Sequence, residues 1–455
     1  MDKLKIIQHL YWRAGFGISY HDALNHTSTP FPKIVDQLFP ENSNFKNLPE
    51  IKPDLGGKRF KDLSRKERTA FNDKNREDLI ELNKTWFDQL GESPYFFREK
   101  MTLFWANHFA CREKIPFFAS QLNNTLRQNA LGSFKTMLLE VSKSPAMLRF
   151  LNNQQNKKDH PNENFAREVM ELFTLGIGNY SEEDIKEAAR AFTGWGINRD
   201  GEFVFRQQIH DTGKKNILGQ IGNFDGDDVL NILLSQKTTA KHISAKIYFW
   251  FVNETRNEDH IEQLSEYFFE QDYDIEKLMR FLFTRDWFIE PENIGVRIKS
   301  PIELLVGLQR TFDLNFTNAK KLVYVQRLTN QILFMPPNVA GWPGGRNWID
   351  SNTLPLRLDL PLVLIDMKNL DRQSESADPK DPLKGVGRSD FARKLELEVD
   401  FDAFENDMAD LDKDQMTNFL ILPEILEPSF QKLMSIDDFR LFALSMFTVP
   451  EYQLC

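Results

Sequence analysis

Cysteine is nearly absent. Cys111 and Cys455 are the only two in 455 residues, too few to build a disulfide framework or a thiolate metal centre that could stabilise the fold. Both suit a reducing compartment. The opening Met1-Asp2-Lys3-Leu4-Lys5-Ile6-Ile7-Gln8-His9 lacks the apolar core and small-residue cleavage site of a signal peptide, so the expected location is cytoplasmic. No run of about 18 apolar residues offers a membrane span. Glycine, at 22, and proline, at 21, are too scarce for a low-complexity chain. Basic residues number 57 against 67 acidic ones, and the resulting charge of −10, without a basic stripe, argues against nucleic acid or an anionic membrane as partner. A Gly-x-Ser-x-Gly elbow, a phosphate loop and a dinucleotide fingerprint are all missing, which removes the most easily read enzyme classes. Neither the Glu-x-x-His spacing of di-iron bundles nor the His-Glu-x-x-His of zinc proteases occurs, so no metal is assigned and any cofactor is unknown.

Phenylalanine, by contrast, is plentiful, with 39 copies against 9 tyrosines, which predicts an interior filled by aromatic packing. Helical periodicity dominates wherever the chain is regular. The expected fold is mainly α, a large multi-helix assembly with a small β-hairpin and long irregular loops. Helices are predicted over Lys3 to Ala14, Tyr20 to Leu24, Glu67 to Leu90, Pro94 to Ala110, Ser120 to Ala130, Phe134 to Ser142 and Pro145 to Leu151. Ser181 with Asp184 three positions on marks the start of another over Glu182 to Phe192. Glu202 to Phe205 is the best strand, half of a hairpin completed near residue 208.

Residues 1–370 read as a helical core that includes a polar connection over about 40–66. Residues 371–388, with Ser-Glu-Ser and Asp-Pro-Lys-Asp-Pro, read as a linker or disordered insertion, and 389–455 as a C-terminal helical segment packing on the core.

Residues 159 to 178 carry the densest polar pattern and read as one helix, with Pro161 in its first turn and Gly176 ending it. At about 100° per residue, Phe165, Val169, Leu172 and Phe173 share one face, while Glu163, Asn164, Arg167, Glu168 and Glu171 share the other. Glu163, Arg167 and Glu171 are spaced by four, so one guanidinium could bridge two carboxylates. Glu168 and Glu171 could serve as acid and base if their surroundings split their pKa values; an ordinary charged surface or a structural ion-pair network accounts for the pattern equally well.

His108 shares a face with Phe104 and Trp105 and is either a core histidine or a general base facing the acidic helix. His210-Asp211 follows the predicted strand, where a loop could project into a cleft or form a simple turn. Met335 to Ile349 holds Pro336, Pro337, Asn338, Trp342, Pro343 and Trp348, a rigid loop suited to presenting indole faces to a sugar ring or to plugging the core. Lys299 and Glu303, four apart across Pro301, could form a helix-start pair or line the pocket.

The segments His9-Leu10-Tyr11-Trp12-Arg13-Ala14-Gly15-Phe16-Gly17, Phe104 to Phe109, Asn162 to Gly178, Ala189 to Trp195, His210-Asp211 and Pro336 to Ile349, with the ending Pro450-Glu451-Tyr452-Gln453-Leu454, together resemble the bacterial family catalogued as domain of unknown function 1800. That resemblance implies no established activity. It does imply a partner, because members often look like neighbours of a sulfatase-like family carrying an export signal, and export in company with that partner is the alternative to a cytoplasmic location.

Two functions are consistent with these features. One is a hydrolase acting on a glycan or other polymer, with Glu163, Glu168 and Glu171 as working carboxylates oriented by Arg167, and His108 and His210 with Asp211 moving protons. Substrate would then rest on Trp195, Lys299, Asn338, Trp342 and Trp348. The other is a non-catalytic helical scaffold that docks a partner protein.

Overall fold

The computed structural model describes residues 2–40, 44–365 and 395–455, apart from Leu55, Gly57, Arg59 and Glu396. The proposed linker at 371–388 lies outside the described residues. Helix starts follow caps written in the sequence. Ser64 with Glu67, Ser181 with Asp184, Asp225 with Asp228, Ser300 with Glu303 and Asp412 with Gln415 each close a reciprocal capping box. The resulting architecture is mainly α, with strands only in two-stranded pairs among the described residues.

The helices Lys3–Ala14, Arg65–Glu92, Phe96–His108, Pro116–Asn129 and Phe134–Lys143 stand close to their predicted places, although Pro116, pre-set for a first turn, starts its helix earlier than Ser120. The strand expectation needs correction. Phe203–Phe205 pairs backward with Trp195–Ile197, not forward near residue 208, because Gly194, at φ +87°, turns the chain out of the preceding helix into the first strand. A second hairpin, Lys215–Ile217 with Gln220–Gly222, was not predicted; a tight Leu218-Gly219 turn with both φ positive joins its strands.

The interior is aromatic, as phenylalanine usage predicts. Phe104, Trp105, Phe109, Phe134 and Phe173 form one continuous set of ring contacts around His108. The C-terminal helices join this core: Phe312 packs on Phe401, Phe404 and Phe447. Leu48 and Leu63, within the polar connection, are buried, and Leu48 exchanges backbone hydrogen bonds with the Asn124 amide.

A buried ionic centre ties distant segments together. Glu303 accepts from Lys100 Nζ at 2.5 Å and from Arg297 Nη1 at 2.8 Å, and its second oxygen takes the Ser300 N–H at 2.7 Å. Lys100 also donates to the Gly15 carbonyl at 2.7 Å, capping the end of the first helix. The expected Lys299–Glu303 pair does not form. Lys299 instead sits between the rings of Trp12 and Tyr452, 3.7 Å from each centroid, and donates to the Tyr452 carbonyl at 2.7 Å. Burial pulls its ammonium down to about 7, while the two ring faces favour the charged form.

Removing the one carboxylate shared by two buried cations should be costly. Glu303→Gln is expected to lower unfolding free energy by about 3–5 kcal/mol, measured by urea denaturation followed by circular dichroism.

Candidate functional site

The acidic segment is two helical pieces. Asn162 caps Glu163–Glu168 by accepting from Asn164 N at 3.0 Å, so Pro161 precedes the helix and does not occupy its first turn. From Val169 to Thr174 the chain winds as a π-helix, marked by the Leu175 N–H donating to the Met170 carbonyl, five residues back, at 2.9 Å. Gly176, at φ +81°, ends it, as its sequence position implies.

This change of winding alters the expected ion pairs. A π-turn advances each side chain less than 100°, so Glu171 leaves the row occupied by Glu163 and Arg167. Arg167 therefore bridges Glu163, at 3.2 Å, and Glu182 of the following helix, at 2.7 and 2.9 Å, instead of Glu163 and Glu171. The Glu182 side chain is 68% exposed, which makes this a surface pair. Glu171 accepts instead from the Tyr180 hydroxyl at 2.5 Å. Glu168 stands at the junction of the two windings, half-buried and without an ion pair among the described residues, and burial together with the Glu171 charge raises its carboxyl above the ordinary glutamate value.

His108 does face the acidic segment, but its apolar side. The imidazole is buried among aromatic rings; its Nδ1 lies 3.2 Å from Lys246 Nζ, and its Nε2 makes no hydrogen bond among the described residues. Desolvation, then the Lys246 and His242 charges, hold it well below the usual histidine range, so it is neutral near pH 7.

His210 is apart from this group. Its Nδ1 lies 2.9 Å from the Thr193 carbonyl and 3.2 Å from the Thr193 hydroxyl. Asp211 receives a two-pronged bond from Arg190 at 2.8 and 3.2 Å, which lowers its carboxyl and braces the loop after the first hairpin. Trp195 is buried against Phe165, Phe192 and Phe203 and so connects that hairpin to the acidic helix through its apolar face.

The tryptophan loop does not present open indole faces. Trp342 and Trp348 are 4% and 3% exposed and pack with Ile298. Asn107, beside His108, accepts from Trp342 N at 2.7 Å, and Gly341 is required there because a Cβ would lie 2.3 Å from the same amide oxygen. Asn338 is exposed and accepts from Ala340 N at 2.8 Å, closing a turn. Lys299 belongs to the buried ionic centre. Two cavities of 820 and 750 Å³ border the long Arg65–Glu92 helix and share Lys52, Pro53, Phe71 and Asn75; none of the predicted site residues lines either.

The structure thus brings Glu163, Arg167, Glu168 and Glu171 onto one segment, and sets His108, His210 and the tryptophans into separate packing environments. Sequence reasoning missed Tyr180, Glu182, His242 and Lys246. Of these only His242 and Lys246, four apart on one helix, carried a signal in their spacing.

Together these features define a large mainly α protein whose polar cluster sits on an α-to-π junction. Residues 9–454 match the family model described as protein of unknown function (DUF1800), and the chain belongs to that family. No curated protein and no solved structure matches it.

The loop and the surface pair should differ sharply on substitution. Trp342→Ala is expected to cost about 3–5 kcal/mol of stability, whereas Arg167→Ala should leave the thermal midpoint nearly unmoved; thermal unfolding of the two variants checks this.

Proposed function

We propose that the protein is a hydrolase of acid/base type working through Glu168 and Glu171. The supporting observation is the unequal setting of the two carboxyls: Glu168 is half-buried, lacks an ion pair among the described residues and is raised, while Glu171 is held by the Tyr180 hydroxyl. In this reading Glu168 donates the proton to the leaving oxygen. Glu171, positioned by the Tyr180 hydroxyl, receives a proton from the attacking water. A proton-donating carboxyl beside an ionised one suits glycosidic bonds, which makes a glycan or related polymer the substrate class. Arg167 fixes the preceding turn, and Trp195, Trp342 and Trp348 act through packing.

A second reading, a non-catalytic helical scaffold or partner of a sulfatase-like protein, is favoured by the burial of Trp342 and Trp348 and by the use of His210 and Asp211 in internal bonds. Export in company with that protein belongs to this reading, and co-purification with it is the corresponding test.

Glu168→Gln distinguishes the two readings. Reducing-end release from a polysaccharide panel should fall about 10²–10⁴-fold for the variant, the usual contribution of a general acid. Because burial raises Glu168 in the folded chain, the folded state keeps its proton to higher pH than the unfolded chain does. Its ionisation therefore opposes folding above the raised value, and that penalty disappears as the pH falls toward 4.5. Glu168→Gln should accordingly melt higher than wild type at pH 7 and lose the advantage near pH 4; equal melting curves at both pH values would count against the buried-acid assignment.

A further inference from the structure

Lys246 has no carboxylate partner among the described residues, yet three elements converge on its amine. It lies on the Lys237–Phe251 helix, and its Nζ donates to the Leu172 carbonyl at 2.9 Å while standing 3.2 Å from His108 Nδ1. His242, one turn earlier, places Nε2 3.2 Å from the same Leu172 carbonyl. The π-turn makes this possible, because the last carbonyls of a helix have no partner within it and must be satisfied from outside. The charged or titratable groups facing the cluster are His108 from the Phe96–His108 helix, His242, and Arg256 on the His242 side. Lys246 itself is partly exposed, whereas His108 behind it is buried against Phe104, Trp105, Phe109, Phe134 and Phe173.

We propose that Lys246 is a reactive amine site that takes a carbonyl compound, an aldehyde or ketone, as a Schiff base, with His108 as its proton acceptor. The inference is independent of the Glu168 and Glu171 reading, since it uses none of those groups. Three conditions for such chemistry meet here. Pairing with a carboxylate would hold the ammonium charged, and among the described residues no carboxylate pairs with Lys246. Burial also pulls the amine down to about 8, so a useful fraction is neutral at physiological pH. The neighbouring imidazole, kept neutral by its surroundings, can accept a proton at the nitrogen that already faces the amine.

The step balances without an oxidant or reductant. The amine lone pair attacks the carbonyl carbon, the N–C bond forms and the C=O π-pair moves to oxygen. The two protons on nitrogen pass in turn through His108 Nδ1 to that oxygen, the first making a hydroxyl and the second water, which leaves as the C–O bond breaks and the nitrogen lone pair forms the C=N bond. One amine and one carbonyl compound yield one imine and one water. The competing structural role, Lys246 and His242 merely capping the π-turn, predicts an amine of ordinary reactivity.

The test is brief treatment of the intact protein with propanal and cyanoborohydride at pH 7, followed by peptide mass spectrometry at each lysine. Lys246 should be alkylated about tenfold or more faster than the exposed Lys186 and Lys241, because burial favours its neutral form and His108 stands ready to take its proton. His108→Gln, shown to be folded by circular dichroism, should slow Lys246 several-fold through loss of the proton acceptor, while Lys186 itself is unchanged. A Lys246 rate no greater than that of Lys186 in the wild-type protein, or a rate unaffected in folded His108→Gln, overturns the proposal. If His108→Gln does not fold, the wild-type comparison decides the amine by itself.

Discussion

Glu303 is the constraint on which the arrangement rests. One carboxylate takes up Lys100 from the Phe96–His108 helix and Arg297 from the segment before its own helix, and it caps that helix through the Ser300 N–H. Lys100 in turn closes the end of the first helix through the Gly15 carbonyl. Beside them Arg13 donates to the Asn293 carbonyl at 3.0 Å, and Arg357 to the Lys299 carbonyl at 2.6 Å. Buried cations thus stitch the beginning, middle and end of the chain into one body. Each is tolerated because carbonyls, ring faces or Glu303 replace the water it lost.

The same principle explains the acidic segment. Its apolar face is fixed by Phe165, Val169 and Phe173 in the core, and the π-turn follows from packing that face while leaving carbonyls free for Lys246 and His242. What remains on the outside is unequal: Arg167 and Glu182 form a solvent-screened pair, whereas Glu168 lies where burial raises its carboxyl and Glu171 is held by the Tyr180 hydroxyl. Two polar sites of different character therefore flank one short winding defect, carboxylates on one side and an amine with two imidazoles on the other.

Much of the framework was legible in the chain. Ser181 with Asp184 announced a helix start that forms as written, and Gly176 announced a stop. The stripe of Phe104, Trp105 and Phe109 announced a buried face, and His108 on it is a core histidine. The site was less legible. Arg167 chose Glu182 over Glu171, Lys299 chose two aromatic rings over Glu303, and the two loop tryptophans turned inward. In each case the deciding partner is distant in sequence or depends on a local change of winding that side-chain periodicity does not reveal.

The amino-acid order by itself determined where helices begin and end and which face each one buries, because caps, breakers and the 3.6-residue repeat act within a few residues of one another. Only the tertiary structure decided which charge meets which, and hence which carboxyl is raised and which amine faces an imidazole and a carbonyl. Those outcomes depend on desolvation and on a few ångströms of separation between segments that share no local pattern.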